Sequence, residues 1–256
     1  TGSRFLLEID GHKNLIDCGL FQGLKENRLR NWESFPVAPS SIDKVFLTHA
    51  HIDHTGYLPR LCKDGFAGDV HCTHATRYLC EIMLKDTAHL QEEDARWANK
   101  RGFSKHKPAL PLFRVEDAEY TKQFFKSVYY GENLFIGNKV RVKFKDAGHI
   151  LGSAFLDIKR ENGPQSRKIL FSGDFGRPDR PVLREPVQVY NVDYLILEST
   201  YGNRLHDGRD PYEALDAAGL EPGQKVLEVG CGPGFFTVPA AKIVGERGSV
   251  RALDIN

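Results

Sequence analysis

Directly after the short apolar run Lys44–Leu47, the chain reads Thr48-His49-Ala50-His51-Ile52-Asp53-His54, four metal-ligand side chains within six positions. His49 and His51 are two apart, so in an extended segment both imidazoles face one side. Asp53 and His54 lie about one turn further on and reach a neighbouring point. Nitrogen and oxygen donors so closely spaced suit a pair of adjacent zinc ions. A chain that must converge these groups on one point needs a rigid scaffold with polar residues at its strand ends.

Two later segments fit that need. His149 sits in Asp146-Ala-Gly-His-Ile-Leu-Gly-Ser153, and Asp174 in Phe171-Ser-Gly-Asp-Phe-Gly176. Both follow apolar strand-like runs, and their glycines let backbone approach closely. Strands are expected at Arg4–Ile9, Asn14–Ile16, Val140–Phe144, Ala154–Ile158, Lys168–Phe171 and Val192–Leu197. Helices are expected over Gly56–Lys63, Thr76–Ala98 and Ala118–Ser127. Alternating strands and helices give an α/β sandwich.

These motifs, in order, resemble the metallo-β-lactamase superfamily: Asp17 in Leu-Ile-Asp-Cys-Gly, the His49–His54 cluster, Gly-His149 and Gly-Asp174. Glu198-Ser-Thr-Tyr-Gly202 resembles the first motif of its β-CASP branch of nucleic-acid-processing nucleases. The resemblance covers residues 1 to about 206. It implies an αββα sandwich, here incomplete, with zinc and hydrolysis of phosphodiesters in RNA. By that likeness His49, His51 and His149 hold a first zinc, Asp53 and His54 a second, and Asp174 bridges. Asp17 orients the ligand loop. Asp53, Asp174 and Glu198 form the catalytic set, with Glu198 supporting proton transfer near the leaving group.

The family's later histidine and β-CASP motifs have no counterpart here. One tight zinc and a weak or absent second are therefore expected. His206 is the one histidine after Asp174 and reads as a solvated loop residue.

The texture changes near residue 206, and a boundary is placed between Tyr201 and Asp216. Domains of 1–206 and 207–256 are expected. In the second, Val226-Leu-Glu228-Val-Gly230-Cys-Gly232-Pro-Gly234 runs from strand to glycine turn, and Asp254 closes the next strand. Glu-x-Gly-x-Gly-x-Gly resembles the first motif of class I S-adenosylmethionine-dependent methyltransferases. That likeness implies Glu228, Gly230, Gly232 and Gly234 around the methionine part of S-adenosylmethionine, and Asp254 at its ribose. Only the opening of such a Rossmann-like βαβ fold is present, so a relic unit is the favoured reading.

Composition narrows the partners. With 35 Lys+Arg against 34 Asp+Glu the net charge is +1, which excludes a global basic footprint for nucleic acid. A local one exists: Arg96, Lys100, Arg101, Lys105 and Lys107 occur without an intervening acid, with Trp97, Phe103 and His106 interleaved. Such a patch suits single-stranded RNA. The longest apolar run is Tyr194–Leu197, too short for a membrane span. Five cysteines with no Cys-x-x-Cys pair fit a reducing cytoplasm. Starting at Thr1, with Met83 its sole methionine, the chain reads as part of something longer. Rival readings are an inactive zinc-binding fusion fragment, a thioester or lactam hydrolase, and a methyltransferase.

Overall fold

Parallel strands buried on both faces organise the first half of the chain. In the computed structural model, residues 2–178, 182–199, 212, 215–216, 218–229 and 236–253 are described. The first sheet has the order β1 (Phe5–Ile9), β2 (His12–Ile16), β3 (Lys44–Phe46), β4 (Asp69–Thr73), β5 (Phe125–Val128). Strands β1 and β2 are an antiparallel hairpin, and β2 to β5 run parallel. The second sheet has the order β10 (Tyr194–Ile196), β9 (Arg167–Phe171), β8 (Ala154–Arg160), β7 (Val140–Asp146), β6 (Leu134–Ile136). It is antiparallel except for the β9–β10 pair.

Two apolar layers hold these sheets. Alternation along β7 turns Val140, Val142 and Phe144 inward while Arg141 and Lys143 stay half-buried. They meet Ile16, Phe46, Leu156 and Phe171 between the sheets. Each fully buried side chain of this kind contributes about 1.5–3 kcal/mol. On the other face of the first sheet, Leu15, Val45, Leu47 and Val70 pack under helices. Those helices are α2 (Ile52–Thr55), α3 (Leu58–Lys63), α4 (His74–Arg101) and α5 (Val115–Thr121), while the short α1 (Lys25–Leu29) buries no side chain.

Helix α4 starts where Thr73 accepts the Thr76 N–H at 3.3 Å, and stops at Gly102, whose φ of +69° is left-handed. Buried Cys80, Leu84 and Ala88 mark the face it turns to the core. The outer face of the second sheet is covered by extended chain, with Val189 and Val192 against Phe155 and Leu170. No helix covers that face among the described residues, so three layers of the expected αββα arrangement are described.

The expected helix Ala118–Ser127 is shorter. Helix α5 ends at Thr121, a 3-10 turn spans Lys122–Phe124, and Phe125–Val128 pairs with β4 as a strand. Burial of Phe125 in one layer and Val128 in the other outweighs local helix propensity.

Beyond these lies a two-stranded parallel sheet, β11 (Lys225–Val229) and β12 (Ser249–Leu253), connected through α6 (Thr237–Val244). No described helix is long and apolar enough to cross a membrane.

Candidate metal centre

The ligand-type residues gather where strands of both sheets end. Leaving β3, the chain extends through His49 and His51 and then turns into the one-turn helix α2, which carries Asp53 and His54. Asp17, at the end of β2, anchors this loop. Its buried carboxylate accepts the Thr48 N–H at 2.7 Å, the Thr48 hydroxyl at 2.8 Å and His54 Nδ1–H at 2.8 Å. Asp17 has φ +57°, a conformation that aspartate tolerates better than most residues.

From the second sheet, the β7–β8 loop brings His149 and the segment after β9 brings Asp174. Their loops touch backbone to backbone: Gly176 N–H donates to Ala147 O at 2.7 Å, and a Cβ on Gly176 would lie 1.7 Å from Gly148 O. Ser153 Oγ accepts the His149 N–H at 3.0 Å.

Four of the six expected ligands converge. Ligand atoms of His49, His51, His149 and Asp174 all lie within 4.8 Å of one another. His51 Nδ1 is 3.0 Å from His49 Nε2 and 3.3 Å from His149 Nε2. Zinc–nitrogen bonds of 2.0–2.1 Å at a tetrahedral angle set nitrogen spacings of about 3.3 Å. The donor set therefore fits a tetrahedral ion. Asp174 Oδ2 faces His49 and His149 at 3.8 and 3.7 Å, whereas Oδ1 lies 3.2 Å from His54 Nε2. One carboxylate thus looks toward both halves of the centre. Asp53 lines the same cleft without joining the converging group.

Electrostatics separate the two halves. Burial pushes His49 well below the ordinary imidazole value, and the neighbouring His54, His51 and His149 push the same way. His51 is lowered by burial too, and burial and His51 bring His149 to about 4. Burial would also depress His54, but the Asp17 and Asp174 carboxylates outweigh it and raise it to about 10. Burial would raise the Asp174 carboxyl, yet the hydrogen bond from His54 holds it below the usual carboxylate range. The first three imidazoles are neutral near pH 7, with lone pairs free for a cation. His54 lies between two carboxylates that favour its protonated form.

Glu198, just past β10, lines the cleft with Asp53, His54 and Asp174. Its Oε1 accepts the Phe175 N–H at 3.0 Å, next to Asp174, and its own N–H donates to Ser172 Oγ at 3.0 Å. Thr48, Phe21 and Arg30 were not anticipated as part of this site. Thr48 ties Asp17 to the ligand loop, while Phe21 and Arg30 help line the cleft. Only the position of Thr48, at the head of the histidine run, hinted at its part.

Residues 2–136 match the family model described as the metallo-beta-lactamase superfamily. The chain belongs to that superfamily. Relatives within it include ribonuclease TTHA0252 of Thermus thermophilus, 36% identical over 90% of this chain and 47% of that protein. Cleavage and polyadenylation specificity factor 73 of Drosophila melanogaster is 31% identical over 82% of this chain and 28% of that protein. Probable RNase MJ4 of Methanocaldococcus jannaschii is 30% identical over 86% and 47%. The chain spans about half the length, or less, of these relatives. Residues 211–255 match the model for protein-L-isoaspartate(D-aspartate) O-methyltransferase.

In that second segment, Glu228 lies one residue before the end of β11, its Oε2 accepting the Thr237 hydroxyl at 2.5 Å, at the start of α6. Gly230, Gly232, Gly234 and Asp254 lie outside the described residues, as do His206 and the expected boundary at 206–207.

Proposed function

We propose that this superfamily member works as a zinc-dependent ribonuclease that hydrolyses phosphodiester bonds in single-stranded RNA. The convergence of His49, His51, His149 and Asp174 carries the reading, joined to relatives that are named as ribonucleases. Zinc is favoured over magnesium because three imidazoles dominate the donor set, and magnesium takes oxygen donors. When bound, such an ion lowers the pKa of water toward neutrality and offsets charge on phosphoryl oxygens.

The protein's own groups have distinct tasks in this reading. Asp17 and Thr48 hold the ligand loop, so the imidazoles need little reorganisation to receive a cation. Asp174 orients toward both halves of the centre, and Asp53 and His54 complete a second, weaker position. Glu198, held by the Phe175 amide at the edge of the cleft, supports proton transfer from the attacking water toward the departing oxygen. In this reading the Asp17 and Asp174 carboxylates, which favour a proton on His54, leave the second position the weaker one. Residues 1–206 form the hydrolase unit and 207–256 a methyltransferase-like unit.

The test is cleavage of an end-labelled single-stranded RNA by the zinc-loaded chain, with a chelator control. Chelator-sensitive cleavage that Asp174→Asn removes supports the reading. Turnover of thioesters or lactams with RNA left intact contradicts it.

A second activity has one observation in its favour, the family match over residues 211–255. Calorimetric titration with S-adenosylmethionine separates a working cofactor site, which binds, from a relic unit, which does not.

A further inference from the structure

A short 3-10 turn, Arg30–Trp32, stands between two depressions. Arg30 lines the metal cleft, where its guanidinium lies 3.9 Å above the Phe21 ring. No carboxylate pairs with Arg30 among the described residues. Two positions later, Trp32 lines a separate open groove of about 420 Å³ with Trp97, Phe103 and Leu110. Asn31 between them is buried and fixed. Its side chain accepts the Phe21 N–H at 2.9 Å, donates to Phe21 O at 2.8 Å, and accepts from Arg4 at 2.9 Å. The turn therefore holds one residue at the cleft and another at the groove.

The groove leaves large rings in water. Trp32, Trp97 and Phe103 are each more than half exposed, at 54%, 56% and 59%. Trp97 and Phe103 meet edge to face at 4.9 Å, and the Arg101 guanidinium lies 5.8 Å from the Trp97 ring. The surrounding stretch Arg96–Lys107 contributes five cations and no acid. Asp94 and Gln91 complete the groove wall, where Gln91 Oε1 accepts the Leu112 N–H at 3.1 Å. Exposed rings beside a run of cations match the π-faces and phosphates of an unpaired strand, while the bases of a duplex are already stacked on one another.

We infer that single-stranded RNA runs from the metal cleft past Arg30 into this groove. There its bases stack on Trp32, Trp97 and Phe103, and Lys100, Arg101 and Lys105 take its phosphates. The inference rests on the ribonuclease reading and adds a binding surface away from the metal.

The chain's two tryptophans are Trp32 and Trp97, so its tryptophan fluorescence, excited at wavelengths tyrosine does not absorb, reports on this groove. Metal-free chain would be titrated with a uridylate dodecamer, fluorescein-labelled for anisotropy and unlabelled for tryptophan emission. Quenching should track the anisotropy rise. Trp97→Ala and Phe103→Ala should each weaken binding roughly 5- to 100-fold, with thermal unfolding unchanged because both side chains are exposed. The triple change Lys100→Glu, Arg101→Glu, Lys105→Glu should flatten the salt dependence of binding. An anisotropy rise without quenching, and with Trp97→Ala binding normally, overturns the groove and leaves the ribonuclease reading standing. No anisotropy change at any concentration overturns the groove, and the ribonuclease reading then stands or falls on cleavage by the zinc-loaded chain. Emission that shifts with protein concentration alone makes the groove a contact between copies and overturns the inference.

Discussion

The two halves of the metal centre share Asp174 and follow opposite electrostatic plans. His49, His51 and His149 are held neutral, chiefly by burial. His54 lies between Asp17 and Asp174 and keeps its proton to about pH 10. Near neutrality the first half is a ready set of lone pairs. In the proposed function, a second cation at Asp53 and His54 competes with the His54 proton, so its affinity is expected to rise with pH. The comparison teaches that neighbouring histidines in one loop are not equivalent ligands, because the groups behind them decide their charge.

The largest expected effect comes from the neutral half. His51→Ala removes the nitrogen that lies closest to both other imidazoles, and should abolish tight zinc binding and RNA cleavage together, by metal analysis and a cleavage assay. Asp53→Ala, in the other half, should leave the tight ion in place. Equal losses in the two variants would erase the distinction between the halves.

Glu198→Gln comes next. The amide can still accept from Phe175 N–H, so zinc content should stay normal while cleavage falls roughly 10²- to 10⁴-fold. Full activity in this variant would take Glu198 out of proton transfer and leave it a tether for the Asp174 loop. Asp17→Asn is expected to be milder, at roughly 10- to 100-fold in metal affinity or activity, since it acts through the Thr48–His54 loop.

The smallest effect, and the sharpest on mechanism, is the pH profile of the metal-free protein. The lowered histidines bind fewer protons folded than unfolded, so stability should rise from about pH 4 to 6.5. His54 has its value raised on folding. Its contribution is therefore full below about pH 6.5 and fades as pH climbs through about 10, by on the order of a few kcal/mol. Asp17→Asn should flatten that alkaline fall in a denaturant titration series. An unchanged alkaline limb would mean that His54 is not held protonated by Asp17.

Much of this centre was legible in the sequence because its densest part is local. His49, His51, Asp53 and His54 fall within six positions, and His149 and Asp174 are flanked by glycines at strand ends. What could not be read was how the pieces divide. Nothing in the order of residues says that Asp53 stays outside the converging group, or that Asp17 turns His54 into a cation. Strand β4, Asp-Val-His-Cys-Thr, escaped notice because a strand paired on both sides and covered on both faces shows no alternation. Strand β5 read as the tail of a helix until its pairing with β4 overrode local preference. The Arg30–Trp32 turn lies in a charged stretch that resembles a solvated surface, and its meaning comes from Phe21 and Trp97, distant in sequence. For residues 207–256 the motif was legible, whereas Glu228 is its one described member.

Zinc content after reconstitution and dialysis tests the central claim most directly. The wild-type chain should retain close to one zinc per chain at pH 7, His51→Ala none, and a second equivalent should bind only weakly, gaining affinity as pH rises. A chain that emerges metal-free, or that holds two ions with equal tightness at pH 7, would contradict the account.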